Sequence, residues 1–173
     1  AAWGNVHEGA ILNEMVNRLK VRDAELEITE PLIHPTVQLE GSLDGRADGN
    51  DLTFTTDINS GIYVVGQDQI TLDGMGVLEA KSTNAFAEDE PADYRGPIQV
   101  QGLMACGGYK WAAIGVLYQG STLRIFLYEP EPAIIKKIED DVCDFQRRID
   151  MYGLTGELEN YPVFSENDAA ETF

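Results

Sequence analysis

The chain has 173 residues, enough for one ordinary domain with its own core, and 43% apolar content excludes disorder as a global description. Thirty acidic residues against 12 basic ones leave a net charge of −18. That balance excludes a broadly basic nucleic-acid-binding surface, so contact with phosphates would need a metal cation or a local basic strip. A carboxylate-rich coat adapted to high salt is the other reading of the same charge.

No apolar run approaches the roughly 20 residues that span a bilayer, and Ala1-Ala2-Trp3-Gly4 shows no secretory n-region or h-region. The expectation is a cytoplasmic protein without a membrane segment. Cys106 and Cys143 are the only cysteines and His7 and His34 the only histidines. With no CxxC pair, zinc and iron–sulfur sites are not expected, and a reducing compartment fits better than a disulfide framework.

In chain order, residues 3–20 read as a helix, with Ile11, Met15 and Leu19 at spacings of four and Trp3, Val6 and Ala10 adding to that side. Residues 24–47 read as extended, interrupted by Pro31 and Pro35, with His34 as a loop residue. Leu52–Thr56 and Ile62–Val65 flank Asp57–Gly61, which predicts a hairpin within residues 50–69. Ile70–Leu72 and Val77–Lys81 flank a second turn at Asp73-Gly74-Met75-Gly76, and residues 84–96 form an acidic loop.

A helix is predicted from Ile98 to Cys106, stopped by Gly107-Gly108. Strands follow at Ala112–Tyr118 and Leu123–Tyr128, around the turn Gln119-Gly120-Ser121. The last helix carries the stripe Ile134, Ile135, Ile138, Val142, Phe145 and Ile149. Residues 154–173 are expected to be a loose acidic tail. With no repeat or linker, residues 1–173 make a single α/β domain, a central mixed β-sheet flanked by helices.

The segment Gly76-Val77-Leu78-Glu79-Ala80-Lys81 carries the most chemistry. Alternate residues of a strand share a face, so Glu79 and Lys81 are expected side by side. Hydrolysing a phosphodiester requires an activated water, neutralised non-bridging oxygens and a stabilised leaving oxyanion. Converging carboxylates that hold Mg²⁺ can supply all three. Asp44 and Glu79 are the expected ligands, with the carbonyl of Ala80 as a third oxygen. Lys81 would position water or stabilise charge on the phosphate. Asp73 is the alternative to Asp44. An exposed Glu–Lys pair and an Asp–Gly turn are the plainer readings of the same residues. An EF-hand is excluded because Arg46 and Thr55 fall where ligands are needed, and no P-loop, dinucleotide fingerprint or Ser-His-Asp set occurs.

Two further motifs stand in order around this one: Trp3-Gly4-Asn5-Val6-His7-Glu8, and Tyr94-Arg95-Gly96-Pro97-Ile98-Gln99-Val100-Gln101-Gly102-Leu103-Met104. From Trp3 to about Tyr128 the chain resembles the PD-(D/E)xK nuclease superfamily, and within it the lambda-exonuclease-like viral recombination nucleases. The resemblance implies a restriction-endonuclease-like core. Glu8 is similar to the helix-borne acid that holds a metal-bound water or a second metal. Asp44 and Glu79 are similar to the metal ligands, Lys81 to the catalytic lysine, and Gln99 to the glutamine that orders water and lysine.

The interval from Asp44 to Glu79 is longer than the family's usual short hairpin. Arg46, Arg95, Tyr94, Gln101 and Lys110 are candidate DNA contacts by position. What the resemblance implies for function is a double-stranded DNA exonuclease using Mg²⁺, with Mn²⁺ substituting, digesting 5′-to-3′ in phage-type recombination in a bacterial or phage-infected cell. Its implied partners are DNA ends, a single-strand annealing protein and a second and third copy in a homotrimer. A structure-specific endonuclease with the same site and a catalytically silent DNA- or protein-interaction module are the alternatives.

Overall fold

A computed structural model describes residues 2–92 and 96–156, and side chains from His7 onward within them. The elements are α1 (Ala2–Leu19), β1 (Arg22–Glu25), β2 (Leu32–Ile33), β3 (Glu40–Gly41), β4 (Gly45–Asp48), β5 (Leu52–Thr55), β6 (Ile62–Val64), β7 (Gln69–Leu72), β8 (Met75–Thr83), α2 (Pro97–Gly107), β9 (Ala112–Tyr118), β10 (Thr122–Tyr128) and α3 (Pro132–Thr155). Six strands form the main sheet in the order β1-β4-β8-β9-β10-β6. The β8–β9 and β10–β6 pairs are parallel and the rest antiparallel. The fold is therefore α/β, a mixed sheet flanked by helices.

Central β8 has few polar interruptions because both its faces are covered. Toward one face it turns Leu78, which packs with Ile11, Leu12, Met15 and Leu19 of α1 and with Ala113, Ile125 and Leu127. Toward the other it turns Val77, which packs with Val100, Leu103 and Met104 of α2 and with Ile114, Val116 and Phe126. Helix α1 sits very close to the sheet: a Cβ at Gly115 would come within 2.4 Å of Met15 Sδ. Ala10, expected on the apolar side of α1, is exposed. Helix α3 lies outside α2 and has no fully buried residue, and Phe145 and Ile149 of its stripe are about half exposed.

Three expectations are corrected. The predicted hairpin within residues 50–69 does not pair as such: β5 pairs with β7, while β6 leaves to lie parallel to β10. Only the bridge Asp57–Ile62 survives of the local pairing, because Ile62 and Tyr63 are buried more fully against β10 than a two-stranded hairpin allows. Residues 154–155, placed in a loose tail, are the last residues of α3, capped at Gly156 with φ 71°; the rest of that tail lies outside the described residues.

His34 is more than a loop residue. It is buried, and its Nδ1 accepts the N–H groups of Thr36 (3.3 Å) and Val37 (3.2 Å). Its Nε2 lies 3.3 Å from Glu139 Oε1. The ring thus ties the β2–β3 connection to α3. Cys106 and Cys143 are free thiols. Among the described residues no helix is long and apolar enough to cross a membrane.

Candidate functional site

The site forms where β4 begins and β8 continues beyond it. Gly45 is paired with Leu78 in the antiparallel β4–β8 ladder, so Asp44, one residue outside β4, falls opposite Glu79. The Asp44 carboxylate takes the place of a ladder carbonyl: its Oδ2 accepts the N–H of Ala80 at 2.8 Å. The N–H of Val77 points to β9, where it bonds Trp111 O. Strand alternation therefore turns the N–H and C=O of Ala80 toward the β4 edge, beside Asp44.

Glu79 and Lys81 share the α2 face. Lys81 Nζ donates to Glu79 Oε1 at 2.6 Å and to Gln99 Oε1, on the first turn of α2, at 3.0 Å. Glu79 is only 1% exposed, and its Oε2 is buried without a hydrogen-bond partner. Burial pushes its carboxyl up to about 7, more than the Lys81 hydrogen bond and charge pull it down, and the neighbouring Asp44 carboxylate raises it further. Lys81 is partly exposed and Gln99 exposed, so the cluster opens to solvent on the ammonium side.

Gly96 completes the setting. It is the N-cap of α2 with φ 118°, a backbone conformation that glycine adopts readily. A Cβ there would stand 3.2 Å from Ile114 Cδ1 and 3.5 Å from Lys81 Cε. The missing side chain lets the start of α2 close over the lysine stem. Sequence reasoning had read this glycine only as part of a helix-start motif; its signal was a Gly-Pro step two residues before Gln99.

The structure thus brings together Asp44, Glu79, Ala80, Lys81 and Gln99. Glu8 lies on α1, which packs on the sheet face opposite Glu79, and its neighbour His7 has Nδ1 3.4 Å from Oγ of Ser82, the residue after Lys81. Among the described residues no group of three or more His, Cys, Asp or Glu side chains gathers to hold an ion. Asp73 sits in the exposed turn at the other end of β8, paired with Lys110, which removes it as the alternative to Asp44.

The expected DNA contacts fare differently. Arg46 pairs across β1–β4 with Glu25 Oε2, through Nε (3.1 Å) and Nη2 (2.7 Å). Gln101 is buried; its Nε2 donates to Glu129 O (2.9 Å) and its Oε1 accepts Glu131 N–H (2.8 Å), fastening α2 to the β10–α3 connection. It is a structural tie rather than a DNA contact. Tyr94 and Arg95 lie outside the described residues.

The donor set is chemically selective. Two carboxylates, one with an unpartnered buried oxygen, and a carbonyl on the same edge offer oxygen only. This suits a hard cation such as Mg²⁺ or Mn²⁺, which uses one or two protein carboxylates and keeps several waters.

No protein-family model matches the chain, and no curated protein matches it. Among solved structures it is similar to the one described as "Crystal structure of SSO0001", with a TM-score of 0.42 and 12% identity over 83% of this chain. The match spans 59% of that longer chain. Likeness at this level names no activity.

Proposed function

We propose that this chain is a metal-dependent deoxyribonuclease, acting as an exonuclease on double-stranded DNA ends. The observation that carries the reading is the buried Glu79 carboxylate. It has one oxygen on Lys81 Nζ at 2.6 Å and the other without a partner, facing the same edge as Asp44. Ionised, a carboxylate so placed costs folding energy unless a cation satisfies it.

Asp44, Glu79 and the Ala80 carbonyl would hold Mg²⁺. A cation held there would supply charge neutralisation at a non-bridging phosphate oxygen and a lowered pKa for water. Lys81, held by Glu79 and Gln99, presents its ammonium at the open side, where it orients the water and offsets charge on the phosphorane-like transition state. Gln99 keeps the ammonium from folding back onto solvent and leaves its own amide N–H groups for a phosphate or water. A water oxygen–phosphorus bond forms as the phosphorus–oxygen bond to the departing nucleotide breaks.

The resemblance to the recombination nucleases supplies the finer parts of the proposal: 5′-to-3′ digestion in the cytoplasm, cooperation with an annealing protein, and a homotrimer around DNA. Encirclement would spare a chain of net charge −18 from depending on electrostatic grip alone. End-labelled linear duplex is the test, with Mg²⁺, Mn²⁺ or EDTA. Metal-dependent degradation by wild type, lowered at least roughly a hundredfold by Lys81→Ala, is expected. Near-normal activity in the variant would refute the role given to Lys81. Closed circular DNA separates the endonuclease alternative, since an exonuclease leaves it intact.

A further inference from the structure

Helix α3 is the least supported element of the fold. Among the described residues it adds no side chain to either core cluster, and none of its 24 residues is buried. Its first half leans on α2 and on the β2–β3 connection, where Ile138 shares a groove with Leu39 and Leu103 and Glu139 meets His34. Beyond that support the helix runs on through Phe145, Ile149 and Tyr152, each about half exposed, and through exposed Met151 and Leu154.

Five of the nine large apolar side chains exposed among the described residues thus stand on one stretch of helix. The stretch is only about three turns long. So short a helix is marginal in water unless its apolar face is packed, and a patch of this kind marks a contact surface.

The spacing says what packs there. Ile135, Ile138, Val142, Phe145, Ile149 and Tyr152 recur at alternating intervals of three and four. That is the seam of helix-on-helix packing, in which a knob returns every three or four residues to the same side. The occupant is another helix.

Charge selects whose helix it is. α3 carries four basic residues against five acidic ones, and Lys136, Lys137, Arg147 and Arg148 all pair with acids of the same helix. Nearly all of the net −18 therefore lies on the rest of the chain. A basic partner would gain most by docking on that acidic remainder. A partner as acidic as this chain can approach closely only where charge is balanced, and the apolar end of α3 is such a place.

We infer that the second half of α3 is the contact between two copies of this chain, packed helix against helix. The surface meets itself, so it makes pairs. A ring of three would need a different surface, and the pairing does not rest on the nuclease reading.

Sedimentation equilibrium of the full chain tests this, from about 1 to about 100 µM, in low and in molar salt. Wild type should form pairs, and form them more tightly at high salt, because screening removes repulsion between two molecules of net charge −18. Phe145→Glu combined with Ile149→Glu should weaken pairing at least about a hundredfold, since each copy would bring two charges into the contact. Both positions are about half exposed, so the single copy accommodates the change. Ile149→Ala, which removes apolar area without adding charge, should weaken pairing about tenfold. Melting temperature should rise with protein concentration in wild type and not in the double variant.

A wild type that stays a single copy at the highest concentration in molar salt would overturn the pairing. So would an assembly of two or three copies whose affinity neither variant changes, because its contact then lies elsewhere. A melting temperature lowered equally at every concentration in the double variant would show this face covered within one molecule, and would overturn it too. Cleavage enters none of these readings, so the pairing and the nuclease proposal stand or fall separately.

Discussion

The two ends of β8 each hold a carboxylate against a lysine, and they differ in almost everything else. At the start of the strand, Asp73 and Lys110 pair with side chains 53% and 69% exposed. At the far end, Glu79 and Lys81 pair with side chains 1% and 31% exposed. Water satisfies the remaining lone pairs of Asp73, whereas the second oxygen of Glu79 has no partner. An exposed pair contributes little to stability. A buried, half-satisfied carboxylate works against it and is retained where a site needs the charge. Residue type alone would have ranked the two pairs alike; burial separates them.

The largest effect should come from breaking the buried pair. Lys81→Ala is expected to reduce cleavage of end-labelled duplex by at least roughly a hundredfold. Glu79→Gln should abolish it, since a neutral amide keeps the shape and removes the anion.

The pH behaviour of Glu79 sharpens the contrast. Its folded carboxyl stands at about 7 against an ordinary 4.5. The stability tied to keeping it protonated is complete below 4.5 and is lost as pH rises through about 7. On the order of 3 kcal/mol is at stake across that window. Melting temperature in EDTA should therefore fall between pH 5 and 8, by several degrees more in wild type than in Glu79→Gln. Mg²⁺, which requires the ionised carboxylate, should restore more of it at pH 8 than at pH 5. A wild-type curve parallel to that of Glu79→Gln would remove the buried anion from the account.

Much of this was legible in residue order. The alternation along Gly76–Lys81 put Glu79 and Lys81 on one face, and the Gly107-Gly108 stop and the Gly120 turn framed α2, β9 and β10 as observed. Asp44 was the harder residue, because its partner is set by the β4–β8 register and that pairing spans a long interval of chain. The failures share one cause, which is non-local pairing. The strong local turn at Asp57–Gly61 predicted a hairpin, yet the buried side chains of β6 found a better partner in β10. Gln101 read as a solvated helix position until the β10–α3 connection folded over it.

Gln101 provides a prediction of intermediate size. Its amide satisfies two backbone groups, the carbonyl of Glu129 and the N–H of Glu131. Gln101→Ala leaves both without their partner in a part-buried position, a loss of about 2 kcal/mol. Chemical denaturation should detect this as a lower midpoint. Cleavage per folded molecule should be close to wild type, because the side chain touches no group of the site. A loss of cleavage at unchanged stability would instead return Gln101 to the DNA-contact role its position first indicated.

The smallest effect belongs to the pair at the start of β8. Lys110→Ala removes a cation that sits beside Asp73 in solvent, where salt and water replace it at little cost. Melting temperature and cleavage should both stay at their wild-type values, at low and at high ionic strength. Lys110 was a candidate phosphate contact by its position in the chain, so the null result is informative: it would place DNA binding at the Lys81 end of the strand. A rise in KM for duplex that disappears as salt is added would show instead that the backbone runs along the whole of β8, and the two ends would have to be treated as one surface.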